Sequence, residues 1–158
     1  MFIMKITSEE PNIHWPFLNV ENKVVLDLGC GLFYSSQTSA RYFLDRGAKS
    51  VIGVDLGKLP VDGCTIYFQK NISSSEDLQD LINTFCPEII KCDIEGAEVY
   101  FEGIAELKGV TEFAVEYHDN DLKLLMERKI AEWGFIDSKV YKLFDENIDR
   151  IGVIYAWK

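Results

Sequence analysis

Two acidic residues of the sequence follow apolar runs in a pattern that suits the binding of a nucleoside. The first, Asp27, belongs to the segment V-V-L-D-L-G-C-G and runs directly into a bend that contains Gly29 and Gly31. The second, Asp55, ends the run V-I-G-V-D. Glycine allows the backbone to approach a ligand closely, and the two oxygens of a carboxylate can accept hydrogen bonds from the two hydroxyls of a ribose. The pattern therefore predicts a nucleoside pocket.

A second group of chemically active side chains follows two later apolar runs. Asp93 and Glu95 come after I-I-K-C, and Glu116 and His118 close the segment E-F-A-V-E-Y-H. If the two runs are neighbouring strands, these four side chains can converge at one edge of a sheet. A charged Asp93 at the end of a buried strand needs a partner, which a cationic ligand would supply. The unperturbed histidine pKa of about 6.5 suits the removal of a proton near neutrality.

Strand-like and helix-like patterns alternate along the chain, as in a parallel sheet with helices on both faces. The predicted strands cover residues 24–28, 50–55, 65–69, 89–93, 112–117, 138–144 and 151–157, and the predicted helices cover 35–46, 76–85, 97–107 and 120–133. The last two strands are separated by a short polar stretch without a helix, so they must be antiparallel neighbours.

These elements predict a Rossmann-like α/β fold. Its doubly wound, seven-stranded sheet is mostly parallel and ends in a C-terminal antiparallel hairpin. Residues 1–21 are predicted to form an irregular N-terminal arm before a domain that covers 22–158. Ligands of such sheets bind at the carboxyl ends of the strands, beside the reversal in strand order, and the acids described above all fall at those ends.

The composition is that of an ordinary globular domain with a strongly acidic balance. The 158 residues include 47% apolar and 27% charged residues, and the formal net charge is −10. This charge repels polyanions, so nucleic acid is not an expected partner. The apolar runs are strand-sized and no apolar h-region follows Lys5, so we expect neither a membrane span nor a secretory signal. The four cysteines form no C-x-x-C pair, which argues against a zinc site or a disulfide framework and favours a reduced, cytoplasmic protein.

The layout resembles that of class I S-adenosylmethionine (SAM)-dependent methyltransferases, and the resemblance covers about residues 22–158. The octet K-C-D-I-E-G-A-E at 91–98 is similar to the signature of FkbM-type methyltransferases, which typically read K-x-D-x-E-G-x-E after the fourth strand. The segment at 112–118 is similar to the fifth strand of that family. The resemblance implies a fold that binds SAM and moves its methyl group, usually to an oxygen of a small metabolite or a sugar.

The resemblance also assigns cofactor contacts to residues at the predicted strand ends. The methionine half of SAM would lie against the glycine bend, the ribose against the second acid, and the adenine beside the residues that follow. The assigned residues are Asp27, Gly29, Cys30 and Gly31 for the methionine half, Asp55 for the ribose, Leu56, Asn71 and Ile72 for the adenine, and Asp93 for the ammonium or sulfonium. Asn71 is equally expected as an ordinary turn residue.

Transfer to a hydroxyl requires a group that takes its proton, and the sequence offers two solutions. We favour His118 or Glu95 as a general base acting on a small-molecule acceptor. Alternatively, Asp93 and Glu116 could hold Mg²⁺, which would acidify the hydroxyl. Their spacing is not the diagnostic one of metal-dependent enzymes, so the metal is not favoured. The ordinary alternative for His118 is a solvated loop histidine. We expect Glu98 either to be stabilised by a helix dipole or to pair with a neighbouring element of the chain.

Other functional classes stay open at this point. The segment 1–21 and the loops are short, so the acceptor site is either an open cleft or is covered by a second subunit of a homo-oligomer. A non-catalytic domain of the same fold, which binds SAM or a partner, is therefore the alternative function. An NAD-dependent enzyme is disfavoured because Leu32, Phe33 and Tyr34 occupy the place of the third dinucleotide-motif glycine. Tyr34 is the best aromatic candidate for a substrate contact, and His14 is expected to have no role in the site.

Overall fold

Within the described residues, eight strands form a single mixed sheet. The computed structural model describes residues 4–5, 15, 17–31, 38–58, 60–142 and 151–158. The strands are β1 (Met4–Lys5), β2 (Val24–Leu28), β3 (Ser50–Asp55), β4 (Ile66–Gln69), β5 (Ile89–Cys92), β6 (Glu112–Tyr117), β7 (Asp137–Lys142) and β8 (Gly152–Trp157). The helices are α1 (Ser39–Asp45), α2 (Ser75–Phe85), a 3₁₀ helix (Ala97–Gly103) and α3 (Asn120–Glu132). No helix in this part of the chain has the length and apolar character that crossing a membrane would require.

The strand order is β1-β7-β8-β6-β5-β2-β3-β4. From β2 the chain runs outward through β3 to β4, then crosses to β5 and continues to β6, with every pair parallel. Strand β8 is antiparallel to both β6 and β7. The strand order therefore reverses between β2 and β5, which is where such sheets bind ligands. The predicted fold class is confirmed, including the antiparallel C-terminal hairpin.

Part of the segment predicted as an irregular arm joins the fold. Met4–Lys5 pairs in parallel with β7 and adds an eighth, two-residue strand to the seven that were predicted. Trp15, Leu18 and Val20 are buried, because packing such large apolar side chains on the sheet removes their area from water. His14 lies outside the described residues.

The third predicted helix is wrong in type and in length. Residues 97–107 are predicted as an α-helix, but the structure has only the short 3₁₀ helix there. The Ser75 hydroxyl donates a hydrogen bond of 2.6 Å to the carbonyl of Tyr100, which is the acceptor that an α-helix would offer to the N–H of Ile104. That N–H bonds instead to the carbonyl of Phe101 at 3.1 Å, and the helix ends.

The other predicted elements are confirmed with small shifts of their ends. Helix α1 begins after Thr38, whose side chain accepts a hydrogen bond from the N–H of Arg41, and helix α2 begins after Ser74 in the same way. Residues 35–37 of the first predicted helix lie outside the described residues, as do residues 143–150 between β7 and β8.

Apolar cores cover both faces of the sheet. On one face, the rings of Phe101, Phe113 and Trp133 meet edge to face, with centroids 5.3, 5.8 and 5.6 Å apart. On the other face, Phe43 of α1 and Trp15 belong to a second buried cluster. Because both faces are covered, the strands are rigid supports for whatever their ends carry.

A buried ion pair joins the two strands on either side of the reversal. Asp27 on β2 and Lys91 on β5 are register partners. The Nζ of Lys91 lies 3.1 Å from Oδ1 of Asp27, and the two residues are 1% and 0% exposed. The same Nζ donates to the carbonyls of Gly29 at 2.6 Å and Leu28 at 3.3 Å, while the Ser39 hydroxyl donates to Oδ2 of Asp27 at 2.6 Å. The network therefore fixes the point at which the chain turns after β2.

The surroundings of Lys91 keep it charged. Burial alone would lower the pKa of Lys91, but the carboxylates of Asp27 and Asp93 outweigh that effect and raise the pKa above its ordinary value. The ring of Trp15 lies 5.0 Å from the Nζ atom, which also favours the cation. Trp15 of the N-terminal segment thus helps to stabilise the ion pair.

Replacing Lys91 by methionine tests this ion pair. Lys91→Met leaves the Asp27 carboxylate buried without its cation and the Gly29 carbonyl without a donor. Removing one partner of a buried pair typically costs about 3–5 kcal/mol, so the free energy of unfolding in urea should fall by that amount. Lys49→Met, at an exposed lysine, is the matched control and should change it by about 0.5 kcal/mol or less. Wild-type stability in Lys91→Met would contradict the role assigned to the pair.

Candidate functional site

A cleft opens at the carboxyl ends of β2, β3, β4 and β5, beside the reversal in strand order. Its cavity volume is about 140 Å³, and it opens to solvent. Most of the residues predicted to form the site line this cleft, together with four that were not predicted. The predicted ones are Gly29, Asp55, Leu56, Asn71, Ile72, Asp93 and Glu95, and the others are Val54, Lys70, Ile94 and Ala97.

Three residues that were predicted to touch the cofactor lie behind the lining instead. Asp27 is fully buried in the ion pair described above, so its carboxylate faces a lysine and not the cleft. Cys30 is also fully buried, and its Sγ lies 3.9 Å from that of Cys64; this neighbour and burial both raise the pKa of the Cys30 thiol. Gly31 supports the site through its N–H, which donates to the carboxylate of Asp55.

Gly29 brings bare backbone to the floor of the cleft. Its φ is +75°, and a Cβ at this position would lie 1.7 Å from the main-chain oxygen of Asp93. The N–H of Gly29 donates to the carbonyl of Val54 at 2.8 Å, and its own carbonyl accepts the bond from Lys91. No side chain fits between the ends of β2 and β5, so a glycine is required for the two strand ends to pack this closely.

Asp55 ends β3 and holds the two loops that border the cleft. Its Oδ2 accepts the N–H of Gly31 at 2.7 Å, and its Oδ1 accepts the N–H of Gly57 at 3.0 Å. The hydroxyl of Tyr67 donates to the carbonyl of Gly57 at 2.6 Å and fixes the second loop. A carboxylate has about four acceptor positions, so these two main-chain donors leave positions for two hydroxyl groups of a ligand.

The wall beyond Asp55 is largely apolar. Leu56 is 66% exposed, whereas Ile72 is buried, and exposed Asn71 lies between this wall and the solvent. Lys70 is paired with Asp77 at 2.7 Å, and that lysine, with Ser73, holds the pKa of the Asp77 carboxyl well below its usual range. The positive charge of Lys70 is therefore largely neutralised within the wall.

The structure brings Asp93, Glu95, Glu116 and His118 together at the ends of β5 and β6. The Nε2 of His118 lies 3.8 Å from Oδ1 of Asp93 and 3.8 Å from Oε2 of Glu95. Glu116 is buried, and its carboxyl group interacts with that of Asp93. The parallel pairing of β5 with β6 accounts for this convergence, because it places both carboxyl ends at the same edge.

This cluster has unusual protonation behaviour. Burial, followed by the charge of Asp93, raises the pKa of Glu116 to about 8. Pairing with Asp93 raises the pKa of His118 to about 9, against the opposing effect of burial. Burial alone would raise the pKa of Asp93, but His118 and Lys91 outweigh that effect and lower the pKa. Near neutral pH the Asp93 carboxylate therefore lies between two protonated neighbours.

Glu98 is a positioning residue that the sequence analysis did not identify. It is fully buried, and its two oxygens accept the N–H groups of Ile94 at 2.8 Å and Gly96 at 2.7 Å. These bonds close the turn that presents Glu95, whose φ is +53°. The signal that could have found this role is the spacing E-G-x-E, since a glycine with positive φ beside a carboxylate is typical of a side-chain-capped turn.

Three side chains of the cluster could share a metal ion. Asp93, Glu95 and His118 each offer one ligand atom, and these atoms lie within 4.8 Å of one another. Among the described residues, this is the one such group. It differs from the pair predicted from sequence, Asp93 and Glu116, because Glu116 does not belong to this group.

Comparisons with known proteins identify the fold. Neither a family model nor a curated protein matches the chain. Among solved structures, a candidate SAM-dependent methyltransferase from Streptococcus mutans has a TM-score of 0.56 and 13% identity over 88% of this chain and 45% of its own. A SAM-dependent O-methyltransferase from Thermotoga maritima has a TM-score of 0.55 and 16% identity over 89% of this chain and 60% of its own.

A further candidate methyltransferase, in complex with S-adenosylhomocysteine (SAH), has a TM-score of 0.53 and 11% identity over 88% of this chain and 46% of its own. The chain thus spans between 45% and 60% of the length of these structural relatives. At such identities the likeness concerns the fold. With its strand reversal between β2 and β5 and its antiparallel β8, this chain has the Rossmann-like fold of the class I SAM-dependent methyltransferases.

Proposed function

We propose that the chain is an FkbM-type methyltransferase that binds SAM in the cleft. It transfers the methyl group to a hydroxyl oxygen of a small polar metabolite or sugar. One observation chiefly supports the proposal: bare glycine backbone, a carboxylate suited to a ribose and a second acid line a single cleft at the strand reversal. The likeness of the octet at 91–98 to the FkbM-type signature supports the choice of family, and the net charge of −10 favours a small acceptor over a nucleic acid.

The lining suits each part of SAM in turn. Asp55 has acceptor positions for the ribose hydroxyls, and the apolar side chains of Leu56 and Ile72 flank the place of the adenine. Gly29 lines the part of the cleft that is assigned to the methionine chain. Asp93, with its lowered pKa, provides a negative charge for the ammonium or sulfonium.

The acceptor end of the cleft must hold a hydroxyl and take its proton. Bound SAM supplies a methyl group that is already activated on sulfur, so the chain contributes mainly by holding donor and acceptor in line. The pKa of His118 is raised to about 9. The imidazole is therefore already protonated near neutral pH and does not act as the base there. Glu95 lines the cleft, its side chain is 65% exposed, and it is the residue of the predicted pair that can accept the proton.

A non-catalytic domain that binds SAM is the second candidate function. The observation that favours it is that the ends of the strands, the loops after them and the start of the 3₁₀ helix line a cleft that is open to solvent. If the chain is catalytic, a second subunit could cover the acceptor side of this open cleft. The two functions share cofactor binding and differ in turnover.

Titration calorimetry with SAM tests the cofactor assignment. The wild-type chain should bind SAM, and Asp55→Ala should weaken binding by about 10- to 100-fold, because hydrogen bonds to a charged group contribute roughly 1.5–3 kcal/mol. Asp80→Ala, at an exposed acid on α2, is the control. Unchanged affinity in Asp55→Ala would refute the ribose assignment, and no binding at millimolar SAM would end the methyltransferase proposal.

A screen for transfer of a radiolabelled methyl group to hydroxylated metabolites and sugars tests turnover. If Glu95 takes the proton, Glu95→Gln should lower the rate by about 10²- to 10⁴-fold while SAM affinity stays at the wild-type value. Glu76→Gln, at an exposed glutamate, should keep the wild-type rate. SAM binding without transfer to any acceptor would favour the non-catalytic alternative.

The titration of His118 tests the protonation assigned to the cluster. In the presence of a chelator, its NMR midpoint should lie near the pKa of about 9, and Asp93→Asn should move the midpoint down towards 6.5. His118 binds its proton more tightly in the folded chain than in the unfolded one. Its contribution to stability is therefore complete below about pH 6.5 and is lost as the pH rises through about 9. A wild-type midpoint near 6.5 would contradict the pairing with Asp93.

A further inference from the structure

We propose that Asp93, Glu95 and His118 bind a divalent transition-metal ion such as Zn²⁺. The Nε2 of His118 lies 3.8 Å from a carboxylate oxygen of each of the two acids. Bonds from Zn²⁺ to nitrogen and oxygen ligands are about 2.1 Å long, so two ligand atoms of one ion lie at most about 4.2 Å apart. Both measured separations fall within that limit. The full set lies within 4.8 Å, which a small movement of the 65% exposed Glu95 side chain brings into range.

The imidazole nitrogen is the observation that separates this cluster from an ordinary group of acids. Nε2 of His118 is a buried polar atom with no hydrogen-bond partner among the described residues. At 3.8 Å the oxygens of Asp93 and Glu95 are too distant for a hydrogen bond, and buried polar atoms are normally bonded. One cation placed between the three side chains would displace the proton of the imidazole to solvent and would then satisfy the nitrogen and both carboxylates.

Neighbouring groups hold the ligands in the required places. Glu116, itself buried, interacts with Asp93, and Glu98 accepts two main-chain N–H groups of the turn that carries Glu95. Hydrogen bonds of this kind orient metal ligands and raise affinity. The site is thus supported by two carboxyl groups that are not themselves needed as ligands.

The ligand types indicate the class of ion. Imidazole suits Zn²⁺ and its transition-metal neighbours, whereas Mg²⁺ and Ca²⁺ prefer oxygen ligands alone. Two carboxylates and one imidazole would therefore favour Zn²⁺ over Mg²⁺. Three protein ligands leave a further position open, as in zinc sites that bind water or substrate.

The role of this site rests on the proposed function. An acceptor hydroxyl bound at the open position would have its pKa lowered by the ion, and its proton would pass to solvent. The oxygen lone pair would then form the bond to the methyl carbon while the carbon–sulfur bond breaks and its electron pair stays on sulfur. The products are a methyl ether and SAH. In the loaded protein the ion would thus replace Glu95 as the group that activates the acceptor.

Calorimetric titration of the chelator-treated full chain with Zn²⁺, and separately with Mg²⁺, tests the site. Wild type should bind one Zn²⁺ per chain and bind Mg²⁺ far more weakly. His118→Gln and Glu95→Gln should each weaken Zn²⁺ binding by about 100-fold or more, since even the loss of an outer hydrogen bond costs 10- to 100-fold. Cys64→Ser, at a thiol outside this group of ligands, is the control and should bind as wild type does. Circular dichroism shows whether each variant is folded.

The outcomes separate this proposal from the proposed function. Absence of Zn²⁺ binding, equal binding in wild type and His118→Gln, loss of binding in Cys64→Ser, or tighter binding of Mg²⁺ would each overturn the metal site. SAM titrated against the same samples reports on cofactor binding independently, because His118 and Glu95 are not assigned to SAM. Cobalt(II) gives a second measurement. Its visible absorption should show a bound nitrogen–oxygen site in wild type that is lost in His118→Gln.

Discussion

The buried ion pair between Asp27 and Lys91 determines where the ligand cleft lies. Removing two charges from water is expensive, and here their mutual attraction and the hydrogen bonds to Ser39 and the Gly29 carbonyl offset that cost. These contacts occur together in one arrangement, which ties the end of β2 to β5 at the strand reversal. The glycine bend is therefore in place before a ligand arrives, so binding does not have to order it.

The octet K-C-D-I-E-G-A-E combines this buried support with residues that face a ligand. Its outer charges, Lys91 and Glu98, are buried and bind main-chain atoms. Its inner charges, Asp93 and Glu95, line the cleft. Gly96, with a φ of +98°, allows the turn between Glu95 and Glu98. The motif thus works as one structural unit, in which two buried charges position two accessible ones. The whole octet therefore indicates a site more specifically than its acids do alone.

Hydrophobic periodicity was sufficient to predict the cleft, because parallel strands bring their carboxyl ends to one edge of the sheet. It could not predict which acids face that edge. Asp27 and Asp55 both belong to apolar runs, yet the first lies opposite a lysine on the next strand. A lysine within the apolar run I-I-K-C needs a buried acid partner, and that signal was available. The 3₁₀ helix was not predictable, because its cause is a hydroxyl from a distant helix, Ser75 of α2.

Fewer of the acids at the strand ends carry a charge into the cleft than the sequence suggests, and this limits which ligands the cleft can bind. Five acids lie at or next to strand ends in the sequence, but Asp27 is neutralised by its lysine partner, and Glu116, with a pKa of about 8, is mostly protonated near neutrality. The charges that remain in the lining are Asp55 at one end of the cleft and Asp93 with Glu95 at the other. Such a lining repels a pyrophosphate, which needs positive charge or free helix N–H groups. It matches a ligand with hydroxyls at one end and a positive charge at the other, as in an adenosyl sulfonium.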